Sequence, residues 1–237
     1  MRNMINLPLT LNEFLTQRDQ KYRNQLITIP LFNPTQTAQW TLEQKKFFAG
    51  LLYHIRGQFI NFMWYVANFA PDTITKAIII DNIKEELGLG NKYSHEQLYG
   101  FFTHECGIDI HDEIANETHY LPFAKKFNKD HVKWLVAHDA DERIAAFAAY
   151  ERLDNIDYPF LSECAQSLNI SPHGKIFFDV HSAVGHFSAV LEKLLPIWEF
   201  NSEKVKEAFD FIYTHQLSMW QQVSAHIFSM QTKKVSI

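Results

Sequence analysis

Apolar residues recur along this chain at three- and four-residue spacings, and alternating runs of the β type are scarce. Helix start signals punctuate the pattern. Thr41-Leu42-Glu43-Gln44 and Ser94-His95-Glu96-Gln97 both read as capping boxes, in which the hydroxyl and the later Gln satisfy each other's backbone amides. Ser171-Pro172 sets an N-cap ahead of a first-turn proline, and Asn201-Ser202-Glu203 opens a last long segment. These signals predict helices over 12–22, 42–69, 72–87, 95–107, 111–118, 130–138, 140–153, 158–168, 171–195 and 201–230. The reading is an all-α fold, in which these ten segments, short ones included, build a single bundle of about seven to nine helices filling residues 1–237 as one domain. Residues 1–8 and 232–237 are expected to be flexible ends.

Composition narrows the class. The 237 residues include 20 Phe among 46% hydrophobic residues, enough for one large core. A net charge of −5, with no run of Lys and Arg longer than two, excludes an electrostatic nucleic-acid binder. The most apolar stretch, 59–70, is interrupted by Asn61 and Asn68 and is too short for a membrane span. Met1 to Leu11 lacks the apolar core of a signal peptide, and Cys106 and Cys164 do not make a disulfide framework. The expected location is the cytoplasm.

Candidate chemistry lies where polar residues interrupt apolar helix faces. Glu85 and Glu86 end the 72–87 helix, where a carboxylate opposes the helix dipole and either faces water or calls for a cation. His95 stands at the next helix start, which tolerates the neutral, metal-binding imidazole. Glu151 follows a run of small residues, so it is either a surface cap or a buried ligand. Asp179, His181 and His186 load one strongly apolar helix. On a regular helix Asp179 and His186 project within about 20° of one another, whereas His181 and His186 differ by about 140°. Acids and imidazoles on successive helices are the donors with which a bundle holds iron or manganese and leaves room for oxygen. The Glu-x-x-His pairs of ferritin-like di-iron bundles are absent.

The ordered set Asn82-x-x-x-Glu86-x-Gly88, His95-x-x-Leu98, Tyr150-Glu151 and Phe178-x-x-His181 resembles the haem-oxygenase-like di-metal oxidases. That superfamily also holds thiaminase-II proteins, pyrroloquinoline-quinone synthase and the chlamydial protein associating with death domains. The resemblance spans about Phe47 to Leu195. It implies a haem-oxygenase-like bundle and a non-haem iron oxidoreductase holding one or two Fe ions, or Mn. Its partners are O2 and a small, partly apolar substrate, with no nucleic acid and no membrane span; a homodimer is allowed. Glu86, His95, Glu151 and His181 match the metal-ligand positions, and Glu85 is the neighbouring alternative. The family's last helix usually reads His-x-x-x-Asp-x-x-His, and Gly185 and Ser188 stand in the later positions here. His181 is the expected primary ligand, and a break near Gly185 would carry His186 toward its face; in the alternative Asp179 and His186 bind together and His181 is structural. Two other functions compete: a metal-free, thiaminase-II-like hydrolase using Cys106 or Cys164, and a non-catalytic interaction protein.

Overall fold

A computed structural model describes residues 10–90, 92–183, 185 and 187–232, and among them there is no strand. The early helices are α1 (Leu11–Leu26), α2 (Pro34–Thr37), α3 (Leu42–Arg56), α4 (Phe59–Asn68), α5 (Thr73–Glu86) and α6 (His95–Glu105). After them come α7 (Ile110–Asn116), α8 (Pro122–Ala137), α9 (Ala140–Ser167), α10 (Pro172–Ala183) and α11 (Phe187–Thr232). Both predicted capping boxes are formed, at Thr41/Gln44 and Ser94/Gln97, and Thr10/Glu13 and Asp139/Glu142 add two more. The expected flexible ends fall outside the described residues, apart from Thr232, which closes α11.

Four boundaries depart from the periodicity. The 42–69 segment is interrupted after Arg56, with Gly57 and Gln58 standing between α3 and α4. Helix α8 begins at Pro122, a first-turn proline, eight residues ahead of the expected start. The 171–195 segment stops at Ala183, and α11 takes up the chain from Phe187. It runs through Pro196 to a kink at Asn201 (φ −154°, ψ 87°), whose Oδ1 accepts from the Glu203 N–H.

The largest departure is α9, where 140–153 and 158–168 form one 28-residue rod through Pro159. A proline inside a helix removes one backbone hydrogen bond, a cost that tertiary burial can outweigh. Here it does. Ile156, Asp157, Tyr158 and Leu161 are all buried, and α9 packs along α10 and α11 at the centre of the molecule. Asp157, wholly buried, ties four helices together. Tyr22 of α1 donates to its Oδ1 at 2.9 Å, and Gln216 and Trp220 of α11 each donate to its Oδ2 at 2.9 Å. Arg56 of α3 brings Nη2 to 3.5 Å from the same oxygen.

Candidate metal centre

Glu86 and His95 are brought together by a turn. Helix α5 ends at Glu86, after which Gly88 takes φ +68°, a conformation glycine adopts without steric penalty. The Gly88 N–H bonds the Glu85 carbonyl and the Leu89 N–H bonds Lys84, the paired closure that terminates a helix on a left-handed residue. The chain then returns to Ser94, whose hydroxyl caps α6 and makes His95 its first residue. His95 Nδ1 thereby lies 2.8 Å from Glu86 Oε2, with the two side chains 12% and 28% exposed.

His181 arrives from the last turn of α10, which packs against α6. Its ring lies 4.2 Å from that of His95 and stacks on Tyr158 of α9 at 4.2 Å. Its Nδ1–H donates to the Phe177 carbonyl at 2.7 Å, which orients the ring. One donor atom from each of Glu86, His95 and His181 falls within 4.8 Å of the others. The cavity they share with Phe59, Met63, Asn82, Glu151, Asp154 and Asn155 measures about 20 Å3, space for roughly one water-sized body.

Glu151 stands in the wall of this cavity but outside the three-residue group, its Oε1 accepting from Asn82 Nδ2 at 3.0 Å. Burial, then the Asp154 and Glu86 carboxylates, push its carboxyl well above the usual range, against the opposing Asn82 hydrogen bond. Asp154 also lines the cavity. Burial raises it to about 7, although Arg56 Nη1 lies 3.0 Å from its Oδ1 and pulls the other way. The site therefore gathers three carboxylates, of which burial disfavours Glu151 and Asp154 as anions, and two imidazoles, with the Arg56 guanidinium as the nearby cation.

Other expected residues lie elsewhere. Asp179 is exposed, accepts from Ser162 Oγ at 2.9 Å and lies 3.8 Å from Lys175 Nζ. On α10 it projects about 160° away from His181, so one helix cannot aim both at the same point. Glu85 is exposed beside Glu86 and is not in the donor group. His186 is outside the described residues; the break between α10 and α11 does fall around Gly185. The sequence reading missed Arg56, Asp154 and Asp157. The spacing of Glu151, Asp154 and Asp157, three residues apart, is the signal that would have found the last two, once 154–157 is read as helix.

A wider cleft of about 380 Å3 adjoins the donors, with Glu86, His95, Asp154 and His181 in its wall. Tyr53, Phe59, Ile60, Tyr99, Tyr158 and Phe177 supply its apolar surface, and Arg56 contributes a charge. The cysteines do not take part. Burial pushes the Cys106 thiol up to about 12 and raises Cys164 further, so neither offers the thiolate a hydrolase needs.

No family model matches the chain, and no curated protein is significantly similar to it. Solved structures are. A CADD-like protein of unknown function from Nostoc punctiforme PCC 73102 superposes with TM-score 0.68 at 16% identity, covering 92% of this chain and 97% of that one. A second structure of that protein gives 0.72 at 15%, covering 90% and 98%. A domain of unknown function with a haem-oxygenase-like fold from Shewanella denitrificans OS217 gives 0.72 at 15%, covering 97% of each. No helix among the described residues is long and apolar enough to cross a membrane. What the likeness establishes is architecture: this chain is an all-α bundle with the haem-oxygenase-like fold, superposing on CADD-like proteins over nearly its whole length.

Proposed function

We propose that the chain is a metal-dependent oxidase that holds iron on Glu86, His95 and His181, with Glu151 beside them, and acts with O2 on a small, partly apolar molecule in the adjoining cleft. One observation carries this reading. His95 Nδ1 is buried without a hydrogen-bond partner although Glu86 Oε2 is only 2.8 Å away. The two atoms are close but not aligned as donor and acceptor, the relation expected of two lone pairs directed at a shared third body. An orphaned buried nitrogen costs about 1–3 kcal/mol, so a bound cation would remove a real penalty. The donor set of carboxylate and imidazole without sulfur suits iron, and manganese next.

Bound iron would supply the redox chemistry that side chains lack. The chain's own residues do the rest. The Phe177 carbonyl orients the His181 ring, and Asn82 holds Glu151 Oε1 in place. Burial favours the protonated Glu151 carboxyl, so a bound cation would displace that proton and be met by the carboxylate charge left behind. Tyr53, Phe59, Tyr99, Tyr158 and Phe177 screen the cleft from water and offer flat surface to an apolar substrate.

The test is metal quantitation on untagged protein loaded anaerobically with ferrous iron. The parent should retain about one iron per chain, while His95→Ala and His181→Ala retain almost none at unchanged helical circular dichroism. No stoichiometric transition metal in the parent, or full loading of His95→Ala, would overturn the proposal.

A further inference from the structure

A second cavity of about 350 Å3 shares Phe59 with the metal cavity, but none of Glu86, His95, Glu151, Asp154 or His181 lines it. Its size falls within the range of about 300–1,000 Å3 found for small-molecule pockets. Two features define what it would accept. Four aromatic rings, Phe59, Phe62, Tyr120 and Tyr150, form its walls, and Phe59 stacks on Tyr150 with centroids 4.2 Å apart. Such surfaces favour a flat ring over a branched chain.

The second feature is charge. Lys125 and Lys129 stand in the lining and no Asp or Glu does, the reverse of the acid-rich metal cavity. Lys125 is already committed, 2.6 Å from Glu117 Oε2 and 4.8 Å above the Tyr120 ring. Lys129 is exposed and makes no ion pair among the described residues. Polar donors accompany it. Gln58 accepts from Asn61 at 2.6 Å through its Oε1, which leaves its amide hydrogens to give. His131, 5% exposed, completes the wall with an Nε2 that has no partner. Burial, His215 and Arg56 keep that ring neutral, so it adds polarity without repelling the lysine.

We propose that this cavity binds a planar aromatic anion, its ring between the aromatic walls and its charged group at Lys129. The inference does not depend on iron, so it stands or falls separately from the oxidase reading.

Calorimetry on the metal-free full chain tests it, with naphthalene-2-sulfonate as the probe and the uncharged naphthalene-2-sulfonamide as its near-isostere. The sulfonate should bind at least fivefold tighter at about 50 mM salt, and the advantage should shrink as salt rises. Lys129→Gln should erase that advantage. Val132→Trp, which fills the cavity from an exposed position, should abolish binding of both, while Glu86→Ala and His181→Ala bind as the parent does. Should Val132→Trp fail to fold, the surface variant Lys129→Gln still decides the matter. Equal affinity for the two probes, no binding of either, or an undiminished preference in Lys129→Gln would refute the proposal. So would loss of binding in His181→Ala, since the probe would then sit in the cleft.

Discussion

Replacing Asp154 by Asn should make the metal-free protein more stable, and increasingly so as pH rises. The carboxyl stands at about 7 against an ordinary 3.8, and burial is the chief cause. A rise of that size corresponds to about 4 kcal/mol against the ionised form, since each tenfold change in proton affinity is worth about 1.4 kcal/mol. The side chain keeps 19% of its surface in water, which trims the figure to about 2–3 kcal/mol. The sign follows from proton counting. Between about pH 4 and pH 7 the folded chain holds a proton that the unfolded chain has released, so stability falls as pH rises through that window. Asn has the shape of the protonated acid and does not titrate. Arg56 keeps Asp157 and the faces of Tyr158 and Trp220 when Asp154 is neutral, so it is not stranded. Urea denaturation followed by circular dichroism, at pH 5 and pH 8, measures the effect. The stability gap between Asp154→Asn and the parent should widen by about 2 kcal/mol over that interval. A gap that stays constant within about 0.5 kcal/mol, or a parent more stable at pH 8, would show that Asp154 does not carry this strain.

Gly88→Ala should destabilise the fold by about 2–3 kcal/mol, because a Cβ at φ +68° would lie 2.5 Å from the Ser94 nitrogen and the Tyr93 carbonyl carbon. The same strain separates Glu86 from His95, so iron affinity should fall at least tenfold; calorimetric melting and iron titration check the two effects, and an unchanged melt would count against the turn. Asp157→Leu removes a carboxyl whose own burial is unfavourable, yet it strands Tyr22, Gln216, Trp220 and one side of Arg56. The stranded donors outweigh the relief, and urea titration should record a loss of about 3–5 kcal/mol; a loss under 1 kcal/mol would mean that the donors find other partners.

The sequence carried the helices wherever local chemistry decides them. Thr41/Gln44 and Ser94/Gln97 close on backbone amides within their own first turn, so reading them needs no knowledge of the rest of the chain. The interval 154–157 was opaque for the opposite reason. Asp154, Asn155 and Asp157 ahead of Pro159 read as a connection, and only donors from α1, α3 and α11 make that interval a buried helix. Arg56 was hidden likewise, since its acidic partners lie about a hundred positions on in the chain. Glu86, His95 and His181 were legible through the spacing of the family signature, not through any pattern visible in one helix. Asp179 was overvalued because local density of metal-competent side chains says nothing about which way each one points. Packing against α6 and α9 selects the His181 face of α10.

The Asp157 hub has a consequence for the order in which the molecule can be completed. All three proposed iron donors have been synthesised by residue 181, whereas Gln216 and Trp220, two of the groups that satisfy Asp157, come 35 or more residues later. A nascent chain halted between these points would own the whole donor set and lack its mechanical support, with a buried-type carboxylate exposed on α9 and no α11 to cover it. On the proposed metal-centre reading, maturation would then run from scaffold to metal. A chain truncated before Gln216 should load iron poorly despite keeping every ligand, and the natural moment for loading is after the last helix has docked.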